Sequence, residues 1–294
     1  MRQLEYFIVD VFTRTPMTGN ALAVVMDPAG LGTDTMQSIA REFNLSETTF
    51  VQRRPVEIER SEGVRVRIFT TQEELPFAGH PTLGTASVLR SNAPDTIAKD
   101  QLTLALNVGP IKVRFDSDDS FAEMTQRDPE FGQELDPAEV ARLIGLSVND
   151  LHPRFTPQVV STGNGFAIVV ARDLQALGLL RVRHDESSAW LRDRGGRWFY
   201  VLAPTGVREP AFRARMQFYG GEDPATGSAA GCAISYLVAR GAVASDERIL
   251  VRQGVEVGRT SDLFLRAKID SAKVTDVRVA GSTVPVATGQ LFLP

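Results

Sequence analysis

Glu47, His80, Asp223 and Ser228 are the side chains whose types could together move a proton. Two carboxylates, an imidazole and a hydroxyl suit general acid–base chemistry, because burial and neighbouring charge bring such groups toward neutral pKa. They stand out because the chain repeats itself and these positions are where the copies differ. Thr18-Gly19-Asn20-Ala21-Leu22-Ala23-Val24-Val25 resembles Thr162-Gly163-Asn164-Gly165-Phe166-Ala167-Ile168-Val169, an offset of 144. Arg67…Glu74-Leu75-Pro76-Phe77-Ala78-Gly79-His80 resembles Arg215…Glu222-Asp223-Pro224-Ala225-Thr226-Gly227-Ser228, an offset of 148 and close to half of 294 residues. Two matches in one order argue for duplication into two similar lobes. In the second match His80 stands opposite Ser228, and Leu75 opposite Asp223. Glu47 precedes a strand whose expected counterpart, Phe199–Leu202, follows Gly195-Gly196-Arg197 with no carboxylate. Each residue keeps a plainer alternative: Glu47 could pair with an arginine, and Asp223 or Ser228 could cap the next helix.

These side chains need rigid supports. After Gly79 and after Gly227 come runs too apolar for a surface helix, so each is expected to be a buried helix inside its lobe. Small residues at such helix starts leave backbone N–H groups open to an anion, which suits a carboxylate-bearing substrate. The plainer reading is that Gly and Pro only shape the turns. Strands are expected at Leu4–Phe12, Ala21–Met26, Thr48–Gln52 and Val64–Thr70, from their β-branched, aromatic and alternating residues. Met36, Ile39, Ala40 and Phe43 have helical spacing, with Thr33 as the expected N-cap. Asp136-Pro137-Ala138-Glu139 reads as a helix start and Gly145 as its stop. Lys273–Leu293 reads as two strands around Ala280-Gly281-Ser282. The lobe boundary is expected in the turn-rich Asp116–Pro137 region.

Composition excludes several classes. Of 294 residues 43% are hydrophobic and 23% charged, which is globular composition, and a net charge of -4 gives no polycationic surface for nucleic acid. Cys232, the one cysteine, permits no intrachain disulfide and cannot alone hold zinc. No apolar run reaches the ~18–20 residues of a membrane span. The opening MRQLEYFIVDVF lacks the pattern of a secretion signal, so a cytoplasmic protein is expected. There is no G-x-x-x-x-G-K-[ST] loop, no H-E-x-x-H and no dinucleotide fingerprint at Gly163-Asn164-Gly165. Gly227-Ser228-Ala229-Ala230-Gly231 is not G-x-S-x-G. His152 and His184 lie in polar segments and read as surface residues, as does the solvated stretch Arg192–Arg197. No metal site is expected.

Val9-Asp10-Val11-Phe12, Gly19–Val25, Ser46-Glu47-Thr48-Thr49-Phe50, Pro76–Thr82 and Gly221–Ala229 together resemble the phenazine-biosynthesis PhzF-like family of isomerases, with Ala21 where the family often has Pro. The resemblance implies an α+β, diaminopimelate-epimerase-like fold: two pseudo-symmetric lobes, each a barrel-like sheet around a central helix, with the active site between them. Lobes of residues 1–126 and 127–283 are expected, with strand 284–294 returning to the first. The resemblance also implies a homodimer, no cofactor, and a small carboxylate substrate of dihydro-hydroxyanthranilate type. Glu47 would then carry the proton, with His80, Asp223 and Ser228 assisting. Backbone donors of Gly79-His80 and Gly227-Ser228 would hold the carboxylate. Related racemases and epimerases use two cysteines near these turns, where this chain has Ala78 and Thr226. A racemase or epimerase, or a non-catalytic carboxylate-binding protein of the same fold, are the alternatives.

Overall fold

Strands whose apolar residues alternate with polar ones, such as Val64–Phe69 and Gln101–Leu106, bury one face and leave the other wet. The computed structural model describes residues 2–28, 30–96, 100–116, 120–218 and 221–293. It separates into two compact units, Met1–Thr125 with Ala280–Pro294 and Gln126–Val279. The expected boundary region includes residues 117–119, which lie outside the described residues, as do the terminal residues 1 and 294 of the expected lobes.

In the first unit Arg2–Val11 pairs antiparallel with Asn20–Met26, which runs parallel to Glu47–Gln52. Glu47–Gln52 pairs antiparallel with Val64–Phe69, and that strand runs parallel to Gln101–Leu106. The sheet continues antiparallel through Gly109–Phe115 and Phe121–Thr125. The C-terminal part of Lys273–Leu293 then pairs with Arg2–Val11 and closes a barrel of eight strands. Helix Gly79–Asn92 packs against Arg2–Val11, Asn20–Met26, Glu47–Gln52 and the three strands of Gln101–Thr125, so it fills the barrel. Its apolar residues face every direction, as a helix surrounded by strands requires.

The second unit repeats the plan. Gly165–Val170 runs parallel to Trp198–Pro204, which pairs antiparallel with Phe212–Arg215, and that strand runs parallel to Ile249–Gln253. Ser261–Asp270 pairs antiparallel with Ile249–Gln253. Helix Gly227–Ala239 packs on Ser261–Asp270, Gly165–Val170 and Gln158–Ser161. All of its residues but Ala239 are buried. A separate apolar cluster joins Val140, Leu143 and Leu177 to Val169, Phe199 and Val201. Each side chain so buried contributes about 1.5–3 kcal/mol of hydrophobic free energy.

Local signals hold where the chain itself satisfies them. Asp136 accepts the Glu139 amide at 2.8 Å, Pro137 opens the helix Pro137–Leu143, and Gly145 follows it at φ 73. Two expectations need correction. Thr33 is the first helical residue, not the cap, because its hydroxyl accepts Arg67 Nη2 at 3.0 Å; Gly32 takes the cap position. Lys273–Leu293 is one strand, not two, because hydrogen-bonded partners continue along it past Gly281 and no turn is needed there.

Candidate active site

Two elements of the duplicated plan carry over to the site. The first is an arginine–glutamate pair seven residues apart. Arg67 donates from Nε and Nη2 to Glu74 at 2.8 and 2.6 Å, and Arg215 donates likewise to Glu222 at 2.9 and 2.6 Å. In the first pair the Arg67 guanidinium holds the Glu74 carboxyl below its ordinary titration range. Each pair fixes the short strand, Glu74–Leu75 or Gly221–Glu222, that leads into a buried helix. The second element is the helix start itself, at Gly79 and Gly227. First-turn amides of an α-helix have no intrahelical acceptor, so each start presents backbone donors.

In the first unit, Gly19 at φ 68 lets the turn after Thr18 pass so close to Val11 that a side chain would overlap its carbonyl. Asp10 accepts the Met17 amide at 2.7 Å and closes the same turn. That turn delivers Asn20, 1% exposed, whose Nδ2 lies 3.1 Å from His80 Nδ1. His80 is the second residue of its helix and 2% exposed. Its Nε2 lies 3.4 Å from Glu47 Oε2. Burial drives the ring's pKa down to about 3, opposed only by a hydrogen bond to the Ala21 backbone. The imidazole is therefore neutral at ordinary pH, and its approach to Glu47 is not an ion pair. Nδ1 meets the Asn20 amide, while Nε2 and Glu47 Oε2 face each other with no hydrogen bond between them.

Glu47 opens the strand Glu47–Gln52 rather than preceding it, and its side chain keeps 14% exposure. Register also corrects its counterpart. Leu22 lies opposite Glu47, and Phe166, which repeats Leu22, lies opposite Trp198. The second unit thus carries Trp198, not Arg197 or a glycine, where the first carries Glu47.

In the second unit Asp223 and Ser228 are each 6% exposed. Neither caps the helix: Thr226 holds the cap position, with no side-chain cap bond, and Ser228 is the second helical residue. Thr226 Oγ1 donates to Asp223 Oδ2 at 2.7 Å. Gln253, fully buried, makes four hydrogen bonds, three of them to this loop. Its Oε1 accepts the Thr226 amide at 3.1 Å and the Tyr200 hydroxyl at 3.1 Å. Its Nε2 donates to the Asp223 carbonyl at 2.8 Å and to Thr226 Oγ1 at 3.0 Å. Tyr200 stays protonated because burial, reinforced by the Asp223 charge, raises its pKa. Gln126 ties down the helix start: Nε2 donates to the Gly227 carbonyl at 2.9 Å, and Oε1 accepts from Thr162 at 2.7 Å.

Asn20, Thr226, Tyr200, Gln253 and Gln126 were not among the residues expected at the site. Only Asn20 and Thr226 carried a signal, by lying inside the repeated motifs. Cys232 is fully buried beside Thr162, and burial lifts its thiol pKa to about 11. His152 and His184 are half-buried rather than exposed, and burial lowers the pKa of both. Among the described residues no cluster of His, Cys, Asp and Glu could hold a metal ion.

Comparison with known proteins places this geometry in context. The family model described as phenazine biosynthesis-like protein, PhzC-PhzF, matches residues 9–289. The trans-2,3-dihydro-3-hydroxyanthranilate isomerase of Pseudomonas aeruginosa is 34% identical, over 98% of this chain and 99% of that protein. An uncharacterized isomerase of Mesorhizobium japonicum is 35% identical over 100% of both chains. Among solved structures, a predicted epimerase from Pseudomonas aeruginosa matches with a TM-score of 0.84 and 34% identity, over 99% of this chain and 100% of that one.

Proposed function

The chain belongs to the phenazine biosynthesis-like protein family and is an isomerase of diaminopimelate-epimerase-like fold, and we propose that it moves a proton on a small carboxylate substrate with Glu47 as general acid and base. The observation that supports this reading best is the buried approach of Glu47 to the neutral His80 ring at 3.4 Å. A group that takes a proton from carbon and returns it elsewhere must be charged in one step and neutral in the next. A neutral imidazole beside it adds no permanent charge that would lock it ionised.

In the proposed reaction the Glu47 carboxylate removes a proton from a carbon of the substrate, and the electron pair shifts along the conjugated system. The protonated Glu47 then delivers the same proton to a different carbon. Substrate and product have one oxidation level, so the step calls for no electron carrier and no added cofactor. Asp223 and Ser228 assist, and the first-turn amides at Gly79-His80 and Gly227-Ser228 hold the carboxylate. A substrate of the dihydro-hydroxyanthranilate type is the leading choice, since that is the named substrate of the Pseudomonas aeruginosa relative. A two-thiol racemase is disfavoured by Ala78 and Thr226 at the turns and by the buried, high-pKa Cys232. A homodimer belongs to the same proposal and is checked by the solution mass.

The test is a screen of cyclic and amino-acid-like carboxylates in deuterated water, read by mass and NMR. A shifted double bond together with the expected dependence on Glu47 supports the reading. Inversion at one α-carbon with no migration would make the protein an epimerase. Tight carboxylate binding without turnover or deuterium exchange would make it a binding protein.

A further inference from the structure

The Gln253 side-chain amide has only one workable orientation. Its Oε1 receives the Thr226 backbone N–H, which can only donate, and its Nε2 faces the Asp223 backbone carbonyl, which can only accept. Exchanging oxygen and nitrogen would spoil both bonds. Nε2 must therefore donate to Thr226 Oγ1. Having accepted there, the Thr226 hydroxyl directs its single proton to Asp223 Oδ2. The chain Gln253 to Thr226 to Asp223 has a fixed direction, anchored at both ends of the amide by backbone groups.

The duplication shows that the fold does not require this chain. Asp223 and Thr226 repeat Leu75 and Ala78 at the 148-residue offset. Strand register supplies the third counterpart. Phe212 lies opposite Val251 and Val64 opposite Leu104, so Gln253 corresponds to Leu106. Leu75, Ala78 and Leu106 are all buried and apolar. The first unit builds the same turn and the same buried helix with none of these polar groups. Burying such groups costs free energy unless every one is satisfied, so their presence in one copy only calls for a reason beyond folding.

We propose that Gln253 is a positioning residue for Asp223: acting through Thr226, it makes Oδ2 a permanent acceptor, so that Asp223 meets the substrate as a carboxylate. The proposal rests on Asp223 serving the reaction. The ionisable neighbours do not provide the same control. Tyr200 donates to Gln253 and stays protonated, and Glu222, next to Asp223 in the chain, is bound to Arg215.

The test is a carbon-13 carboxyl titration of Asp223 in the intact protein, with kinetics on a confirmed substrate. Thr226→Val keeps the shape and removes the hydroxyl. It is expected to raise the Asp223 midpoint by about one pH unit, because a hydrogen bond to the charged form is lost. It is also expected to lower kcat/KM at least about tenfold, the scale of a hydrogen bond to a charged group. Thr226→Ser restores both. In Gln253→Glu the new carboxylate cannot donate, the Thr226 hydroxyl turns toward position 253, and Asp223 titrates as in Thr226→Val. If Gln253→Glu does not fold, the Thr226→Val and Thr226→Ser pair still decides. An unmoved midpoint in Thr226→Val overturns the chain. A moved midpoint with unchanged turnover upholds the chain and removes Asp223 from the reaction.

Discussion

Acid should weaken this protein through His80. The buried ring has a folded-state pKa of about 3, against 6.5 for the exposed side chain. Between those values the unfolded chain binds a proton that the folded chain does not, so stability falls as pH falls. Above about pH 6.5 the group contributes no pH dependence, because the ring is neutral in both states. Below that the loss grows by about 1.4 kcal/mol per pH unit, reaching about 2 kcal/mol at pH 5. Urea unfolding of the wild type and His80→Asn at pH 7.5, 6.0 and 5.0 measures it. Asparagine does not titrate, so the difference in stability between the two proteins should shrink by about 2 kcal/mol from pH 7.5 to 5.0. The comparison is one of slopes, and the constant cost of losing the ring does not enter. Parallel pH profiles for the two proteins would mean that the folded ring takes up a proton as readily as the unfolded one, and a ring held neutral by burial beside Glu47 would be refuted.

Glu47→Gln keeps size and hydrogen bonding but cannot shuttle a proton. It should fold, bind the carboxylate ligand and lose turnover by at least about 10²-fold; near-wild-type isomerisation would transfer the role to Asp223. Asp223→Asn and His80→Asn should also slow turnover, with larger changes in ligand binding than Glu47→Gln, as calorimetry of the bound ligand would show. Cys232, fully buried with a raised thiol pKa, should resist a thiol reagent in native buffer and react on unfolding; fast native labelling would contradict its burial. Gly231→Ala would drive its new methyl group into the Gln126 amide. It should cost about 1–3 kcal/mol as overpacking, read as a fall in melting temperature, whereas an unchanged melting temperature would show that Gln126 yields freely.

Much of the scaffold was written in short stretches of the chain. The two helices that start at Gly79 and Gly227 are announced by local composition, because a helix enclosed by strands must be apolar on every side. The Asp136 cap works within four residues, and the duplication survives as letter patterns at a nearly constant offset. The seven-residue spacing of arginine and glutamate was also there to be read twice, though its meaning as an ion pair emerges only when both ends of a turn are folded. Other features had no local trace. Thr33 lost its cap role to an arginine 34 residues away, and the repeat counterpart of Glu47 is Trp198 because pairing register, not distance along the chain, decides which residues correspond. Gln253 is the plainest case. A lone glutamine at the end of an apolar strand carries no motif, and its four bonds reach residues 27 to 53 positions away. Hydrogen bonds of that span arise from strands and turns brought together by tertiary packing. The chain alone could show which chemical groups were available, and only the fold decided which of them touch.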